Sequence, residues 1–409
     1  MSSVRRNYIL LTTDFKPMTG GIAEYLHNLW NEVAVDARVT VLTTVDNQGK
    51  RWDRRYDCRP LPPAPLRILG SKLGDSVPVI RKINTARYFY KLRRYAREVV
   101  TIIKNSADSP VEVFVGSWWG EVTHFWCEAL RNAGIPYSIF TYGMELVFPF
   151  NEKVSRWRSQ DLSAAEAIFA CSSGTAGLIR SRLGLNVPVT AITPGISVAS
   201  ERPDTSHKQQ ELRTALGLSS SKIVLTVGRL VPRKGVDLVL KAVSSLAAEF
   251  PDIVYIVAGD GPDKERLTDL AISLGVTQRV KFLGEVDELT KAALFELCDL
   301  FVMPNRLLNG REWEGFGIVF LEAALAGKPS IGGNNGGVSD AIEEGVTGFL
   351  VDTDIDELPT ITALRRLVQD DDLRLRLGLA ARERALTKFP WEVVGQNFRR
   401  VLHAEDVNV

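Results

Sequence analysis

The chain has little of the two residue types that most often cross-link a fold or bind a metal ion. Its 409 residues include four cysteines and four histidines. The cysteines lie far apart without a Cys-x-x-Cys pair, which predicts reduced thiols in a cytoplasmic protein. The histidines show no metal-ligand spacing, and the acidic run at 370–372 is explained by a helix start, so we predict no metal site.

Long apolar runs and an excess of charge of one sign are also missing. No hydrophobic stretch approaches the roughly 18 residues that a membrane-spanning helix needs. Arg5 and Arg6 precede the apolar residues 8–11, but Thr12 ends that run too early for a signal peptide, so we predict a first β-strand there. The net charge of +1 argues against bulk attraction to nucleic acid.

The chain does show a regular alternation of short apolar runs with amphipathic segments. This alternation is typical of βαβ units with parallel sheets. A length of 409 residues with 45% hydrophobic and 24% charged residues predicts two globular domains. Strands are predicted at residues 8–13, 38–43, 111–117, 137–141, 167–171 and 189–193, and then at 223–227, 254–258, 280–283, 300–303, 329–331 and 348–351.

The predicted domain boundary lies at a polar, serine-rich segment, residues 197–221, which we interpret as a linker. The first domain then spans residues 1–196 and the second residues 222–389, with a final helix from Pro390 that could pack on either. We expect two doubly wound, Rossmann-like α/β domains facing each other across a cleft. Ligands of open α/β sheets bind at the carboxyl ends of the strands.

One stretch, Asn305 to Pro329, concentrates features of a binding site. Glu314 precedes a predicted helix that starts near Gly317, and Glu322 lies inside that helix among apolar residues. Glycines there allow close backbone approach, and the N–H groups of a helix start favour anionic or hydroxyl-rich ligands. An unpaired carboxylate at position 322 would be costly, so we expect it to have a partner. The alternative is a capped helix with a surface glutamate.

Two further loops each follow the first predicted strand of a domain. Gly20-Gly21 at a strand-to-helix turn exposes N–H groups that could bind phosphate, although such turns also serve geometry alone. In the second loop, a turn at Pro232 could bring Arg229 and Lys234 to one diphosphate; the alternative is a solvated basic turn.

A glycine-rich run, residues 332–337, joins a strand to a short helix near the same strand ends and is expected to add free N–H groups. The combined loops offer donors for phosphates and carboxylates for hydroxyls. A nucleotide diphosphate carrying a polyol fits this set of groups.

These motifs resemble those of retaining GT-B glycosyltransferases of the large GT4 family, and most of all the phosphatidylinositol mannoside mannosyltransferase type. The resemblance extends from Asp14 to Asp340. It is carried by Gly20-Gly21, by Gly228-Arg229 with Lys234-Gly235, by Glu314 and Glu322 with seven residues between them, and by Gly336-Gly337.

The resemblance implies roles for individual residues. Arg229 and Lys234 would hold the donor diphosphate, Glu314 the hydroxyls of the transferred sugar, and Glu322 the ribose hydroxyls. The remaining donor-binding residues would be Gly20, Gly21, Gly228, Leu283, Gly284, Glu285, Gly315, Phe316 and Gly317, with Leu283 to Glu285 reading the base. The final helix, within 390–409, would return to the first domain, and neither a metal nor a protein nucleophile would be required.

The chain departs from the family where many members have a His-Gly-His-Glu-like segment beside the reacting sugar. Here the segment from Thr141 to Glu145 lacks both histidines and keeps the glutamate. We therefore count Glu145 among the catalytic candidates, beside Arg229, Lys234 and Glu314. The candidates near the acceptor or the sugar are Asp14, Tyr142, Gly143 and Met144.

A basic segment, Arg67 to Lys104, holds ten Lys or Arg and two acids, interleaved with aromatic and aliphatic residues. Such a helix suits peripheral docking to an anionic membrane, on the inner face for a cytoplasmic enzyme. The alternatives are a solvated helix or a basic rim for a charged soluble acceptor.

The sequence therefore predicts a retaining hexosyltransferase that uses a nucleotide-diphosphate sugar, GDP-mannose or a UDP-sugar, and a glycan, glycolipid or small-molecule acceptor. The alternatives are a nucleotide-sugar 2-epimerase of GT-B fold and a non-catalytic nucleotide-sugar-binding partner subunit.

Overall fold

The structure is a computed structural model of the chain. The structure describes residues 6–18, 20–45, 54–65, 78–106, 111–184, 186–198, 204–218, 221–354 and 356–404. Contacts divide the chain into two compact units. The first comprises Met1–Cys171, Ala176–Ile192 and Gly395–Val409, and the second comprises Ser172–Thr175 and Thr193–Val394.

The first unit is built on a seven-stranded parallel sheet in the order β3-β2-β1-β4-β5-β6-β7. Its strands are β1 (Asn7–Thr12), β2 (Arg38–Thr43), β3 (Asp57–Pro60), β4 (Val111–Val115), β5 (Tyr137–Thr141), β6 (Ile168–Ala170) and β7 (Val189–Ala191). Between them run α1 (Gly21–Val33), α2 (Pro78–Asn105), α3 (Glu121–Asn132), α4 (Met144–Val147), α5 (Glu152–Ser163) and α6 (Ser173–Leu183).

The second unit is built on a six-stranded parallel sheet in the order β10-β9-β8-β11-β12-β13. Its strands are β8 (Lys222–Val227), β9 (Ile253–Ala258), β10 (Val280–Gly284), β11 (Leu300–Met303), β12 (Ser330–Gly333) and β13 (Gly348–Val351). Its helices are α7 (Ser206–Leu216), α8 (Val236–Leu246), α9 (Lys264–Ser273), α10 (Glu288–Leu297), α11 (Ile318–Leu325), α12 (Val338–Ala341), α13 (Leu358–Gln369) and α14 (Asp371–Lys388), and α15 (Trp391–Ala404) closes the chain.

All twelve predicted strands are present. Their near-continuous apolar character follows from burial on both faces, as in β1, where five of the six residues are buried. The sequence did not reveal β3, because this edge strand carries the polar residues Asp57 and Arg59 and is mostly exposed. The segment predicted as a linker contains α7, which the polar composition concealed; the hydroxyl of Thr205 and the amide of Gln209 donate to the Glu296 carboxylate on α10.

The C-terminal part of α15 packs on the first sheet. Phe398 lies with its ring centroid 5.1 Å from that of Phe169 and 5.8 Å from that of Trp30. Arg6 donates to the carbonyl of Leu402 over 2.8 Å. None of the helices in the described ranges is both long enough and apolar enough to cross a membrane.

Candidate active site

Each sheet reverses its strand order at one place, which is where open α/β sheets bind ligands. In the first sheet the reversal lies between β1 and β4, and in the second between β8 and β11. The loops that carry most of the predicted site residues follow these strands. Topology therefore places them at the positions that the fold offers for ligand binding, in each unit separately.

The second unit holds a compact charged cluster around Glu314. Its Oε2 atom accepts hydrogen bonds from Arg233 Nη1 at 2.6 Å, Lys234 Nζ at 2.7 Å and Asn305 Nδ2 at 2.9 Å. The side chains of Glu314 and Lys234 are each 12% exposed. Burial alone would raise the pKa of Glu314, but the charge of Lys234, followed by that of Arg233, lowers it below the usual range. The cluster is thus an ionised carboxylate between two cations.

The loop that carries Lys234 is fixed from the neighbouring loop after β11. Pro232–Lys234 form a short 3-10 turn, as the proline predicted. Arg306 donates through Nη2 to the carbonyl of Pro232 at 2.8 Å and to Asp237 Oδ1 at 2.7 Å. Gly235 has φ +72, and a Cβ there would lie 2.2 Å from the carbonyl oxygen of Pro304. Only glycine fits this turn, and Arg306 is a bracing residue that the sequence did not reveal.

Arg229 and Lys234 differ in their surroundings. Arg229 is exposed and makes no hydrogen bond or ion pair with any residue that the structure describes, whereas Lys234 is paired with Glu314. Arg233, which was not among the predicted site residues, is the cation beside Lys234, and it also pairs with Glu312 at 3.3 Å. Lys234 is therefore not part of a solvated basic turn, and the diphosphate role of Arg229 stays a prediction.

The expectation that the glycine-rich run offers free N–H groups is wrong for Gly337. The N–H of Gly337 donates to the carbonyl of Glu314 at 2.9 Å. A Cβ on Gly336 would lie 2.1 Å from the same carbonyl oxygen, and a Cβ on Gly333 would lie 1.9 Å from that of Asn305. Because backbone packs directly on backbone here, the glycines serve to hold the loop of Glu314.

Helix α11 starts as predicted, with Gly317 as its N-cap at φ +86. The N–H groups of Ile318 and Val319 donate to no acceptor within the described ranges, so the helix start can receive an anion or a hydroxyl. Phe316 is buried and packs on Phe389, 5.9 Å between ring centroids, so only its main chain can reach a ligand.

The expected partner of Glu322 is Lys291 on α10, whose Nζ lies 2.8 Å from Glu322 Oε1. Lys291 also pairs with Glu288 at 2.8 Å. Burial would lower the pKa of Lys291, but the charge of Glu322 raises it, so the lysine stays charged. Glu322 is half-buried and oriented by this pair. The sequence showed that a partner was needed without showing which residue it is.

The predicted base-reading segment lies where β10 ends. The N–H of Gly259 donates to the carbonyl of Gly284 at 2.7 Å, and a Cβ on Gly259 would lie 1.9 Å from the carbonyl oxygen of Gly228. The main chains at Gly228, Gly259 and Gly284 are thus stacked closely, while Glu285 is exposed and Leu283 half-buried.

In the first unit, Asp14 follows β1 and is held by two hydroxyl groups. Thr13 Oγ1 and Ser117 Oγ each donate to Asp14 Oδ2 at 3.0 Å. Gly20 and Gly21 are exposed, and a Cβ on either would meet nothing within 4 Å. Glycine is therefore not required there by packing within the described chain, although Gly20 has φ +153, a backbone conformation that favours glycine.

The segment from Tyr142 to Glu145 forms a closed turn after β5. Glu145 Oε1 accepts from the N–H of Tyr142 at 2.6 Å, and Tyr142 donates its hydroxyl to the carbonyl of Gly116 at 2.9 Å. Gly143 is the N-cap of α4, with φ +98, and Met144 begins that helix. Burial raises the pKa of Glu145 to about 7. The glutamate kept from the family pattern thus closes its own turn, and the proposed catalytic role is untested.

Comparison with known proteins decides the family. The profile of the family "Glycosyl transferases group 1" matches residues 208–384. A GDP-mannose-dependent alpha-(1-6)-phosphatidylinositol monomannoside mannosyltransferase of Mycobacterium tuberculosis (strain ATCC 25618 / H37Rv) is 33% identical over 404 residues, 97% of this chain and 98% of the relative. The chain belongs to the group 1 glycosyltransferases. A protein of the same name from Mycolicibacterium smegmatis is 26% identical over 96% of this chain and 97% of its own.

The fold of this glycosyltransferase is also that of solved GT-B structures. Anabaena Alr3699/HepE in complex with UDP and glucose superposes with a TM-score of 0.70, at 20% identity, over 98% of this chain and 100% of that chain. The predicted fold class is confirmed. The family assignment also favours the transferase prediction over the epimerase and partner-subunit alternatives.

No group of three or more His, Cys, Asp or Glu that could hold a metal ion occurs within the described ranges of the glycosyltransferase. Charges that could stabilise a diphosphate there include the side chains of Arg229, Arg233 and Lys234. That the reaction needs no metal or other cofactor stays a prediction.

Proposed function

We propose that this glycosyltransferase transfers a mannosyl unit from GDP-mannose to a lipid-linked acceptor with retention of configuration. The support for the donor and acceptor is the near-full-length similarity to the two mycobacterial mannosyltransferases. The support for the chemistry is the cluster of Arg233, Lys234 and Glu314 at the reversal of the second sheet. No cofactor enters the proposal.

In the proposed complex, Lys234 moves from Glu314 to the donor diphosphate, with Arg229 as the second cation. Two cations beside the diphosphate would stabilise the charge that grows on the leaving group as the glycosidic bond breaks. The N–H groups at the start of α11 would bind phosphate, and Glu314 would accept from hydroxyls of the sugar. The donor-binding role of Gly20 and Gly21 stays a prediction. The leaving phosphate would take the acceptor proton, so no protein nucleophile is needed.

The nucleoside would be held by its ribose and its base. Glu322, fixed by Lys291, would accept from the ribose hydroxyls. The main chain of Leu283, Gly284 and Glu285 would contact the base. Because such contacts are mostly with backbone, GDP and UDP must be separated by experiment.

We further propose that the enzyme is cytoplasmic and docks peripherally on an anionic membrane through the exposed stripe of α2. Arg87, Tyr90, Lys91 and Arg94 lie at helical spacing and are all exposed. Arg93 suits this role less well, since it pairs with Glu128 at 3.1 Å and covers the ring of Phe125. The start of the predicted basic segment, residues 67–77, lies outside the described residues.

Donor and metal requirement are tested in one assay. Thermal unfolding is measured with GDP, UDP, GDP-mannose and UDP-glucose, each with and without EDTA, since a ligand of the native state raises its stability. We expect guanosine species to raise the unfolding temperature, and we expect EDTA to leave this shift unchanged. A shift with uridine species alone, or one that EDTA abolishes, would refute the donor or the metal-free site. The anomeric configuration of the product, by proton NMR, tests retention.

Membrane docking is tested by vesicle co-sedimentation. Replacing Arg87, Lys91 and Arg94 together by Gln should weaken binding to phosphatidylinositol-containing vesicles. As a matched control, three exposed cations of α14 in the second unit, Arg376, Arg382 and Lys388, are replaced by Gln. Equal binding by the two triple variants would contradict the docking face.

A further inference from the structure

The first unit exposes an aromatic cluster close to Asp14. Trp119 is 48% exposed and Phe148 is 41% exposed, two unusual values for such large apolar side chains. The ring centroids of Trp119 and Phe148 lie 5.4 Å apart, those of Phe148 and Phe150 lie 4.8 Å apart, and those of Trp119 and Phe150 lie 5.7 Å apart. We name these three residues the aromatic platform.

The platform is held in place from beneath. Trp118, the neighbour of Trp119, is fully buried and donates its indole N–H to Asp161 Oδ2 at 2.8 Å. The main-chain N–H of Trp119 donates to Thr123 Oγ1 in the first turn of α3 at 3.0 Å. Because backbone and neighbour are fixed, the exposed ring of Trp119 is presented without a large loss of conformational entropy on binding.

Polar groups lie just before the platform along the chain. Ser117, two residues before Trp119, donates to Asp14 Oδ2. The other carboxylate oxygen, Asp14 Oδ1, accepts no hydrogen bond from any residue that the structure describes, and the side chain is half-buried. An oriented carboxylate oxygen that can accept from a hydroxyl is therefore linked, through Ser117, to the chain two residues before the exposed Trp119.

We propose that the aromatic platform binds a polyol ring of the acceptor, a pyranose or cyclitol, by stacking on Trp119, while Asp14 accepts a hydroxyl from its rim. Such a ring has one face of C–H groups, which covers an apolar surface, and hydroxyls around its edge, which need polar partners. This inference rests on the proposed transferase function and names the acceptor subsite within it.

Other occupants fit the platform less well. An acyl chain lying there would remove water from Asp14 without offering it a hydrogen bond, which is unfavourable. A stable protein interface needs on the order of 1,000 Å² of buried surface, far more than three rings provide. The ring of a carbohydrate matches both the size of the platform and the carboxylate beside it.

The test uses deacylated phosphatidylinositol monomannoside, which keeps the sugar and inositol rings and has no acyl chains. Trp119→Ala should raise the KM for this acceptor at least tenfold and leave the KM for GDP-mannose unchanged. Trp119→Phe, which keeps a flat ring, should restore the KM to within about threefold of wild type. The matched control is Ile272→Ala on α9, an exposed apolar residue of the second unit at 61% exposure.

Calorimetry with the same acceptor separates failure of the platform from failure of the proposed reaction. If the wild type binds the acceptor and Trp119→Ala does not, the platform is supported even when no mannosyl transfer occurs. The absence of transfer would then refute only the proposed reaction. Absence of binding to the wild type, or equal binding to both proteins, would overturn the platform. An effect of Trp119→Ala that appears only with the acylated acceptor would also overturn it and assign the rings to the lipid chain.

Discussion

Replacing Glu314 by Gln should have opposite effects on nucleotide binding and on transfer. Glu314 Oε2 accepts hydrogen bonds from the cationic side chains of Arg233 and Lys234 at 2.6 and 2.7 Å. A diphosphate that uses Lys234 must displace this carboxylate. The Glu314→Gln variant keeps a hydrogen-bond acceptor of the same shape but loses the charge with which the diphosphate competes.

The magnitude follows from the strength of the bond that is exchanged. A hydrogen bond between charged groups contributes about 1.5–3 kcal/mol, against about 1 kcal/mol for a neutral one. Since Lys234 and Glu314 are each 12% exposed, solvent screens this difference only partly. Removing the negative charge that competes with the diphosphate should therefore strengthen GDP binding by about 1.4 kcal/mol, which lowers its Kd about tenfold. The free protein should lose about 2 kcal/mol, because Lys234 loses its charged partner and Arg233 keeps only Glu312.

The assay is calorimetry with GDP, paired with thermal unfolding and a transfer assay. Glu314→Gln should bind GDP more tightly, unfold at lower temperature without GDP, and transfer far less mannose, because the proposed contact with the sugar is weakened. Glu312→Gln is a matched control, since Glu312 lies on the same loop and pairs with Arg233 but is 39% exposed. It should change none of the three quantities much. Unchanged or weaker GDP binding by folded Glu314→Gln would refute the exchange.

Three further predictions concern other groups. Lys291→Met should weaken GDP binding about three- to tenfold in calorimetry, because the carboxylate of Glu322 loses the donor that orients it; an equal Kd would contradict this. Because burial raises the pKa of Glu145 to about 7, the folded wild type takes up a proton between pH 4.5 and 7 that the unfolded chain does not bind. Across this window, the free energy of unfolding of the wild type should therefore fall with rising pH, by on the order of 3 kcal/mol relative to that of Glu145→Gln. Parallel pH profiles of the two proteins in urea titrations would exclude this effect. Asp161→Asn should cost about 3–5 kcal/mol in urea unfolding, because Arg131, whose Nη1 lies 2.6 Å from Asp161, loses its charged partner; a loss below about 1 kcal/mol would argue against that pairing.

The fold could be predicted because its signal is local. A strand buried on both faces must be apolar along its whole length, so each central strand, such as β8, is marked in its own sequence. The exceptions have a physical reason. An edge strand such as β3 needs only one paired side, and a surface helix such as α7 buries little besides Leu212.

The positions of the candidate loops were predictable from the sequence, and the partners of their side chains were less so. Glycines and charges after apolar runs marked the loops, because those residue types are needed where backbone turns and approaches a ligand. The sequence did not tell that Arg233, rather than Arg229, shares the carboxylate of Glu314 with Lys234. That choice depends on the turn at Pro232 and on Arg306, which is more than seventy residues further along the chain.

Several buried polar groups were invisible to motif reasoning. Asp161 is fully buried, and its carboxylate accepts from Trp118, from His124 at 2.9 Å and from Arg131. His124 and Arg131 lie on α3 and Asp161 lies on α5. Only the packing of α3 against α5 brings these side chains together. His124 is itself buried in this network.

The two units secure their ligand-binding loops by the same device, although the residues differ. In each sheet, two neighbouring strands flank the reversal of strand order. A side chain in the loop after the second of these strands donates a hydrogen bond to the loop after the first. In the first unit Ser117, after β4, orients Asp14, after β1. In the second unit Arg306, after β11, fixes the carbonyl of Pro232, after β8. Each brace is a hydrogen bond from a side chain of the neighbouring loop, so it restricts the positions that the braced loop can take. Substitution of a brace should therefore act mainly on affinity and turnover rather than on folding of the sheet.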